Sequence, residues 1–314
     1  MDAPIPVTVV TGFLGAGKST LVERWLRALS SERTALIVNE AGKVGIDGAM
    51  LEARATRLLE ITGGCVCCQA QAELDAALAS FAAATPRPTR IIVETSGAAS
   101  PGGVVRALAW GAAHEQLRLD GIVTVLDATR YEAAMQFGLT LEQLGFADVV
   151  LLSHADRCTE EELRGAASRA QVHAPAAVFG TSDHGRVLDP DGASLLDLLA
   201  EREDVLRIPP EDTPRGHGID AVSLTHDGPL DEDRFSDWVE AKLGAVQARI
   251  LRLKGILAIE GVDQRVVVQG VGPSVEVSLG AAWGEAARTS RMVVLGLALD
   301  EAALADGFAA CVSD

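Results

Sequence analysis

The chain has 314 residues, of which 48% are hydrophobic and 23% are charged. This composition excludes intrinsic disorder and simple fibrous classes, and the length suffices for one large or two ordinary domains. Acidic residues outnumber basic ones by 44 to 27, for a formal net charge of −17. Such a surface repels phosphate backbones and anionic lipids, so we expect no general binding to nucleic acid or to membranes.

The sequence contains neither an uninterrupted run of 18 apolar residues nor a basic segment followed by a cleavage signal at its start. We therefore predict a soluble, cytoplasmic protein. Five cysteines in that compartment do not indicate a disulfide framework. Two of them, Cys158 and Cys311, are isolated in the sequence and are interpreted as small buried residues.

The first two thirds of the chain alternates short apolar strands with segments of helical length. Strands are predicted at Ile5–Thr11, Ala35–Asn39, Leu58–Ile61, Arg90–Glu94, Gly121–Leu126, Val149–Leu152 and Ala177–Phe179. Helices are predicted at Thr20–Leu29, Ala72–Ala83, Arg130–Leu144 and Glu160–Val172, the last after a capping-box pattern. This order predicts an α/β fold with a mostly parallel sheet covered by helices on both faces.

A linker composition at 209–218 separates this region from a different pattern of elements. We predict domains at 1–208 and 219–314. Strands of the second are expected at Ala221–Leu224, Ala248–Leu257, Gln264–Gln269, Val275–Leu279 and Arg291–Leu297, with helices at about Asp231–Leu243 and Glu301–Cys311. Neighbouring strands with helices outside them predict a smaller α+β domain.

A phosphate-binding loop follows the first strand. The segment from Gly12 to Ser19 has the spacing G-x-x-x-x-G-K-[ST] and opens a helix, which is the context this motif requires. Its glycines let backbone N–H groups surround phosphate oxygens. The predicted nucleotide-binding residues are Gly12, Gly15, Ala16, Gly17, Lys18, Ser19 and Thr20. Lys18 is expected at the β- and γ-phosphates and Ser19 at Mg²⁺.

A second acidic element is needed to hold Mg²⁺. Glu94 ends an apolar strand and is followed by a turn containing Gly97, which is the expected Walker B form. Asp127 ends the next strand in the same way and is the weaker alternative. We predict Lys18, Ser19 and Glu94 as the catalytic group, and we count Gly97 among the switch residues.

Three cysteines, Cys65, Cys67 and Cys68, lie within four positions of a glycine-rich turn. In an extended turn, residues two apart project to the same side, so Cys65 and Cys67 can approach one ion. Two thiolates with a carboxylate or imidazole suit Zn²⁺, Co²⁺ or Cu⁺. A redox pair and a buried cysteine turn remain alternatives.

The glycine-rich segment 39–48, with Glu40 and Asp47, is predicted to be a nucleotide-sensing switch.

Four motifs together resemble the CobW-type P-loop GTPases, which are proposed metallochaperones: TGFLGAGKST at 11–20, NEAGKVGIDG at 39–48, GGCVCC at 63–68 and ETSGAASP at 94–101. The second half also resembles the CobW C-terminal domain through RLKG at 252–255, VVVQGVG at 266–272 and SRMVVLGLALD at 290–300. The resemblance implies GTP hydrolysis with Mg²⁺ and delivery of zinc or cobalt to a client protein. It implies metal ligands at Cys65, Cys67, Cys68 and Glu40.

Three positions depart from the family pattern. The guanine-reading Asn-Lys-x-Asp element appears as Ser153-His154-Ala155-Asp156, in which Asp156 keeps the acceptor for guanine. Lys43 replaces the second acidic residue of the switch and predicts weaker metal binding through charge repulsion. The histidine-rich stretch of many relatives is missing. Of the remaining histidines, His217 and His226 are interpreted as solvated, and His114 as a candidate ligand.

The sequence therefore predicts a Mg²⁺-dependent GTPase that binds a transition metal and passes it to an unidentified client. Two alternatives remain. One is a metal sensor or buffer in which nucleotide acts as a switch with negligible turnover. The other is an ATP-dependent kinase acting on a small molecule through the same phosphate loop.

Overall fold

The structure is a computed structural model of the whole chain. It describes residues 3–29, 33–39, 57–61, 67–174, 177–188, 194–195, 198–199, 220–243, 250–271 and 274–312. Structural statements below refer to those residues. The predicted linker at 209–218 lies outside them.

The N-terminal part of the chain forms an eight-stranded sheet. Its strands are β1 (Ile5–Thr11), β2 (Thr34–Asn39), β3 (Arg57–Ile61), β4 (Arg90–Glu94), β5 (Leu117–Asp127), β6 (Val149–Ser153), β7 (Val178–Asp183) and β8 (Arg186–Leu188). They are ordered β3-β2-β4-β1-β5-β6-β7-β8. Every neighbouring pair is parallel except β7–β8, a hairpin at the edge. The predicted α/β class is confirmed.

Helices cover both faces of this sheet. They are α1 (Lys18–Ala28), α2 (Cys67–Ala82), α3 (Gly102–Trp110), α4 (Tyr131–Ala134), α5 (Gly138–Gly145) and α6 (Glu160–His173). The capping box predicted for α6 is present, because the Thr159 side chain accepts from the Glu162 N–H and the Glu162 carboxylate accepts from the Thr159 N–H.

The predicted helices Thr20–Leu29 and Ala72–Ala83 correspond to α1 and α2, which begin at Lys18 and Cys67. Two other regions differ more. Helix α3 was not predicted, because it begins with two glycines and two valines, which are poor helix formers. The predicted single helix Arg130–Leu144 is divided into α4 and α5. Phe137 between them is extended, and its ring stacks on Phe13 of the phosphate loop with centroids 4.8 Å apart.

The C-terminal part forms a separate five-stranded antiparallel sheet. Its strands are β9 (Asp220–Asp227), β10 (Ile250–Leu257), β11 (Gln264–Val271), β12 (Ser274–Ala282) and β13 (Thr289–Gly296), ordered β12-β11-β10-β13-β9. Helix α7 (Glu232–Trp238) continues into a π-helical turn at Val239–Leu243, and α8 (Glu301–Ala309) follows the last strand. The rings of Phe235, Trp238 and Phe308 pack together in the core formed with these helices.

The two sheets share a hydrophobic core at helix α3. Val104 and Leu108 of α3 belong to one buried cluster with Ile256 and Val293 of the C-terminal sheet. Helix α3 therefore lies between the parallel sheet and the antiparallel one, and contacts both β10 and α2.

A buried ion cluster also joins the two parts. Asp148, at the amino end of β6, is fully buried and pairs with both Arg252 and Lys254 of β10. Its second carboxylate oxygen accepts from the Ile122 N–H at 2.7 Å, and Arg252 donates to the Phe146 carbonyl at 2.7 Å. The C-terminal sheet is thus attached near the amino ends of β5 and β6, and the carboxyl ends of the parallel strands lie at the opposite edge.

Candidate nucleotide and metal site

The phosphate loop lies at the carboxyl end of β1, where α/β sheets bind ligands. Gly12 has φ +136°, and a Cβ there would lie 2.1 Å from the Val125 carbonyl oxygen of β5. Gly17 adopts the left-handed conformation directly before α1. Glycine is required at both positions, at Gly12 by close packing and at Gly17 by the backbone angle. The loop therefore leads from β1 into the amino end of α1.

Lys18 and Ser19 occupy the first turn of α1. The Lys18 ammonium is buried and donates to the carbonyl oxygens of Gly12 at 2.9 Å and Phe13 at 3.1 Å. The Ser19 hydroxyl donates to the Glu94 carboxylate at 2.7 Å. Glu94 ends β4 beside β1 and is 4% exposed. The structure thus brings together the three residues that the sequence assigned to phosphate and Mg²⁺ chemistry.

A hydroxyl and a carboxylate form the hard oxygen donor set that suits Mg²⁺. Ser19 and Glu94 fit that ion by chemistry and by proximity. The alternative carboxylate, Asp127, has different partners. Its Oδ1 accepts from the Thr129 N–H and hydroxyl at 2.9 and 2.6 Å, and lies 3.4 Å from His154 Nδ1.

The segment after Glu94 packs against the phosphate loop. The Thr95 N–H donates to the Val10 carbonyl at 2.9 Å, and a Cβ on Gly97 would lie 2.6 Å from the Leu14 nitrogen. Gly97 therefore allows the two loops to touch. Any substitution there would move the phosphate loop or the segment that follows the Mg²⁺ candidate.

The predicted base-reading segment begins at the carboxyl end of β6. The buried Ser153 hydroxyl donates to the Ala16 carbonyl of the phosphate loop at 2.7 Å. His154 has a left-handed backbone with φ 56°, and its Nδ1 lies 3.2 Å from the Ser153 hydroxyl. Ser153 thus connects the segment to the phosphate loop through its hydroxyl. Asp156 follows in a short 3₁₀ turn, with its side chain partly exposed.

Two further residues lie beside Asp156 that the sequence did not assign to the site. Asp183 ends β7 and His184 follows it, and their ligand atoms lie within 4.8 Å of the Asp156 carboxylate and of each other. Gly185 packs their turn against α1, because a Cβ there would lie 2.5 Å from the Thr20 carbonyl oxygen. The sequence could have indicated these two residues, because they lie at the carboxyl end of β7, the strand next to β6 in the parallel sheet.

A cysteine borders the same region. Cys158 is partly buried, and its thiol pKa is raised by burial and by the carboxylates of Glu162, Asp127 and Asp156. A raised pKa keeps this thiol protonated, so it is a poor thiolate ligand at neutral pH. Cys311, predicted to be buried, is 1% exposed, and burial raises its pKa as well.

Most of the predicted metal site lies outside the described residues, including Cys65, Glu40, Lys43 and Asp47. Helix α2 begins at Cys67 and includes Cys68 in its first turn. Their side chains are likewise outside the described part of the structure. The metal ligand set therefore stays a prediction.

The histidine candidates are dispersed. His114 is exposed, with its Nδ1 3.0 Å from the Gly111 carbonyl oxygen. His173 ends α6, and burial lowers its pKa. His226 lies on β9, and His217 is outside the described residues. Within the described part of the chain, His184 is the one histidine grouped with other potential metal ligands.

Comparison with known families assigns both halves of the chain. The model of the CobW/HypB/UreG nucleotide-binding domain matches residues 6–179, and that of the cobalamin synthesis protein cobW C-terminal domain matches residues 219–312. No helix in the described residues is both long and apolar enough to cross a membrane.

Full-length relatives include the zinc chaperone YjiA of Escherichia coli, which is 31% identical over 98% of both chains. The zinc chaperone CobW of Pseudomonas aeruginosa is 33% identical over 97% of this chain and 90% of its own. Among solved structures, the Zn(II)-bound YjiA GTPase from E. coli is 25% identical and covers 99% of this chain and 100% of its own, with a TM-score of 0.62. The resemblance seen in the sequence motifs is confirmed: the chain belongs to the CobW/HypB/UreG family and is a P-loop GTPase with a CobW C-terminal domain.

Proposed function

We propose that this GTPase binds a transition metal, zinc or cobalt, at its Cys-x-Cys-Cys motif and delivers it to a client protein when GTP is hydrolysed. The observation that carries the proposal is the Ser19–Glu94 contact at 2.7 Å beside the phosphate loop. Strand β4, which ends at Glu94, lies next to β2, and β3 lies on the other side of β2; the switch and cysteine segments follow β2 and β3 in the sequence. The full-length relatives named as zinc chaperones support the identity of the metal as zinc.

The nucleotide half of the proposal uses the residues of the phosphate loop. Lys18 turns from the Gly12 and Phe13 carbonyls toward the β- and γ-phosphates, where its ammonium neutralises developing charge. Ser19 and Glu94 would hold Mg²⁺, which would supply positive charge to offset that of the phosphates. Gly12, Gly15, Ala16, Gly17 and Thr20 supply backbone groups around the phosphates.

Base selection is assigned to Ser153 and Asp156. The Asp156 carboxylate accepts from the N1–H and N2–H₂ groups of guanine, a pair of donors that adenine lacks. Ser153 holds the segment in register through its hydrogen bond to Ala16, as the equivalent asparagine would. GTP is therefore the proposed nucleotide despite the Ser153-His154 departure from the family pattern.

The metal half rests on Cys65, Cys67, Cys68 and Glu40, a soft, sulfur-rich set that selects zinc or cobalt over magnesium. GTP orders the switch that contains Glu40 and Asp47 and strengthens the site. Hydrolysis releases the switch, so that the metal passes to the client. We also propose 1–208 and 219–314 as the domain division, with 209–218 as the linker.

Metal affinity measured in different nucleotide states tests the proposal. We expect Zn²⁺ competition against a chromophoric chelator to give tighter binding with a non-hydrolysable GTP analogue than with GDP. Replacing Cys65 and Cys67 with Ser should abolish tight binding, because a hydroxyl supplies no thiolate at neutral pH. As a control, the Cys158→Ser variant should bind Zn²⁺ like the unmodified protein.

Multiple-turnover phosphate release separates the alternatives. A GTPase chaperone hydrolyses GTP repeatedly, whereas a sensor or buffer shows nucleotide-dependent Zn²⁺ affinity with negligible turnover. An ATP-dependent kinase transfers phosphate to an acceptor from ATP. Equal Zn²⁺ affinity in all nucleotide states would contradict the nucleotide-gated delivery mechanism.

A further inference from the structure

Helix α2 carries the end of the cysteine motif, and one of its polar side chains reaches the segment that follows Glu94. Gln71 lies one turn into α2, three residues after Cys68. Its Nε2 donates to the Gly103 carbonyl at 3.1 Å and lies 3.3 Å from the Asp75 carboxylate. Gly103 is in the first turn of α3, which directly follows the loop from Glu94 to Pro101.

The contact between the two helices depends on glycine. A Cβ built on Gly103 would lie 3.1 Å from Gln71 Oε1, so even alanine would press on the amide. Gln71 can therefore approach the α3 backbone because position 103 has no side chain. A change at either residue alters the same contact from opposite sides.

Hydrogen bonds hold the loop between Glu94 and α3 against α5. The Gln143 amide donates to the Ala99 carbonyl at 3.0 Å, and the Ser100 hydroxyl accepts from the Gly102 N–H at 3.0 Å. Ser100 also bonds the Glu142 carboxylate. At its start, the loop follows the Glu94 carboxylate that binds the Ser19 hydroxyl.

These contacts form a short connection from the Mg²⁺ candidate residues to the cysteine motif. A movement of the loop on binding or loss of the γ-phosphate would reach the first turn of α3, because the loop leads directly into that helix. There the Gln71 amide is bonded to a backbone carbonyl, so the beginning of α2 must either follow or lose the hydrogen bond. Side-chain links of this kind couple two sites when both bias one element.

We propose that Gln71 is a positioning residue that communicates the nucleotide state to the Cys-x-Cys-Cys motif. The inference rests on the proposed function, since it requires that zinc affinity depends on the nucleotide. Gln71 contacts neither metal nor nucleotide in this role. It sets how the first turn of α2, with Cys67 and Cys68, responds to the loop after Glu94.

The test is the ratio of the Zn²⁺ dissociation constants measured with GDP and with a non-hydrolysable GTP analogue. Coupling between two sites usually amounts to about 5- to 150-fold, and we expect the unmodified protein to fall in that range. Gln71→Leu keeps the size of the side chain but removes its donor and acceptor, and should bring the ratio to within about twofold of one. The analogue's affinity measured without Zn²⁺ should remain unchanged.

Two further variants keep the test decisive. Gly103→Ala disturbs the contact from α3 and should lower the ratio in the same way, and it decides the question if Gln71→Leu fails to fold. Gln116→Leu makes the same substitution at an exposed glutamine and should leave the ratio unchanged. Hydrogen exchange in the first turns of α2 should depend on nucleotide in the unmodified protein and lose that dependence in Gln71→Leu.

The outcomes separate the two proposals. If the unmodified protein has a ratio of one, nucleotide-gated metal binding is wrong. If its ratio is large and the folded Gln71→Leu and Gly103→Ala variants keep it, gated binding stands and the role of Gln71 is wrong. A reduced ratio in these two variants, with Gln116→Leu unchanged, supports the role of Gln71.

Discussion

Charged side chains have different partners at the two ends of the parallel sheet. At the amino end, the Asp148 carboxylate is paired with the cationic groups of Arg252 and Lys254, all within the chain. At the carboxyl end, the Lys18 ammonium donates to carbonyls of the phosphate loop and the Glu94 carboxylate accepts from the Ser19 hydroxyl. The ion pairs at the amino end hold the C-terminal sheet against the parallel sheet. The charged groups at the carboxyl end instead lie where the phosphate loop meets β4, which is the place proposed for the nucleotide and Mg²⁺.

This contrast explains why the C-terminal sheet lies where it does. It is fastened by ion pairs at the amino end of β6, while the phosphate loop, Glu94 and Asp156 are near carboxyl ends of strands. The ion pairs that attach the C-terminal sheet and the residues of the candidate nucleotide site therefore lie at opposite ends of the parallel strands. Variants at the two ends should consequently affect different measurements.

The largest effect on stability is expected at the amino end. Asp148→Asn leaves Arg252 and Lys254 buried without their carboxylate, and breaking such a buried pair costs about 3–5 kcal/mol. Denaturant unfolding should show this loss, with GTP affinity unchanged in the folded protein. The control is Asp263→Asn, which breaks the exposed ion pair with Arg288 and should change stability little. A loss under about 1 kcal/mol at Asp148 would contradict its structural role.

The largest effect on activity is expected at the carboxyl end. Lys18→Ala removes the ammonium that neutralises phosphate charge, and loss of one such group lowers turnover by about 10²- to 10³-fold. Steady-state phosphate release from GTP measures the change. Arg24→Ala removes an exposed cation from the same helix and should retain activity. Near-normal hydrolysis by Lys18→Ala would show that the nucleotide assignment is wrong.

A smaller effect is expected at the base-reading segment. Asp156→Asn replaces one acceptor for guanine with a donor and should weaken GTP binding by about 1–3 kcal/mol, because a polar group is left unpaired. ATP affinity should stay nearly the same. The control is Asp183→Asn, which changes the neighbouring carboxylate and should weaken GTP binding less than Asp156→Asn does. Equal losses for GTP and ATP in Asp156→Asn would exclude this segment as the base reader.

The smallest effect concerns pH. Burial lowers the pKa of His173 from 6.5, and its buried Nδ1 has no hydrogen-bond partner among the described residues. Between the lowered pKa and 6.5 the unfolded chain binds more protons, so stability should fall as the pH drops through this window. Unfolding midpoints of His173→Gln should depend less on pH there than those of the unmodified protein. If the variant and the unmodified protein showed the same pH dependence, groups other than His173 would be its cause.

Much of the fold was predictable because its elements carry regular local patterns. Strands β1 and β4 begin and end where their apolar runs do, at Ile5–Thr11 and Arg90–Glu94. Strand β5 extends four residues before its predicted start at Gly121. Asp120 in that extension pairs with Arg90 and Arg118, so it interrupts the apolar pattern without ending the strand.

The proximity of the phosphate loop to Glu94 was predictable for a related reason. The spacing from Gly12 to Ser19 is a local motif, and Glu94 follows a buried strand. The Asp148–Arg252 pair was not predictable, because the two residues are 104 positions apart and the RLKG motif that contains Arg252 does not identify its partner. The same holds for Gln71 and Gly103, whose contact depends on how two helices pack.

The hydrogen bond from Ser153 to the Ala16 carbonyl has a consequence for ligand selection. It joins the segment proposed to read the base to the phosphate loop in the protein without nucleotide. The distance between the proposed base-reading segment and the phosphate loop is therefore fixed by the folded protein. A nucleotide that matches this length binds without the entropic cost of assembling the two halves around it.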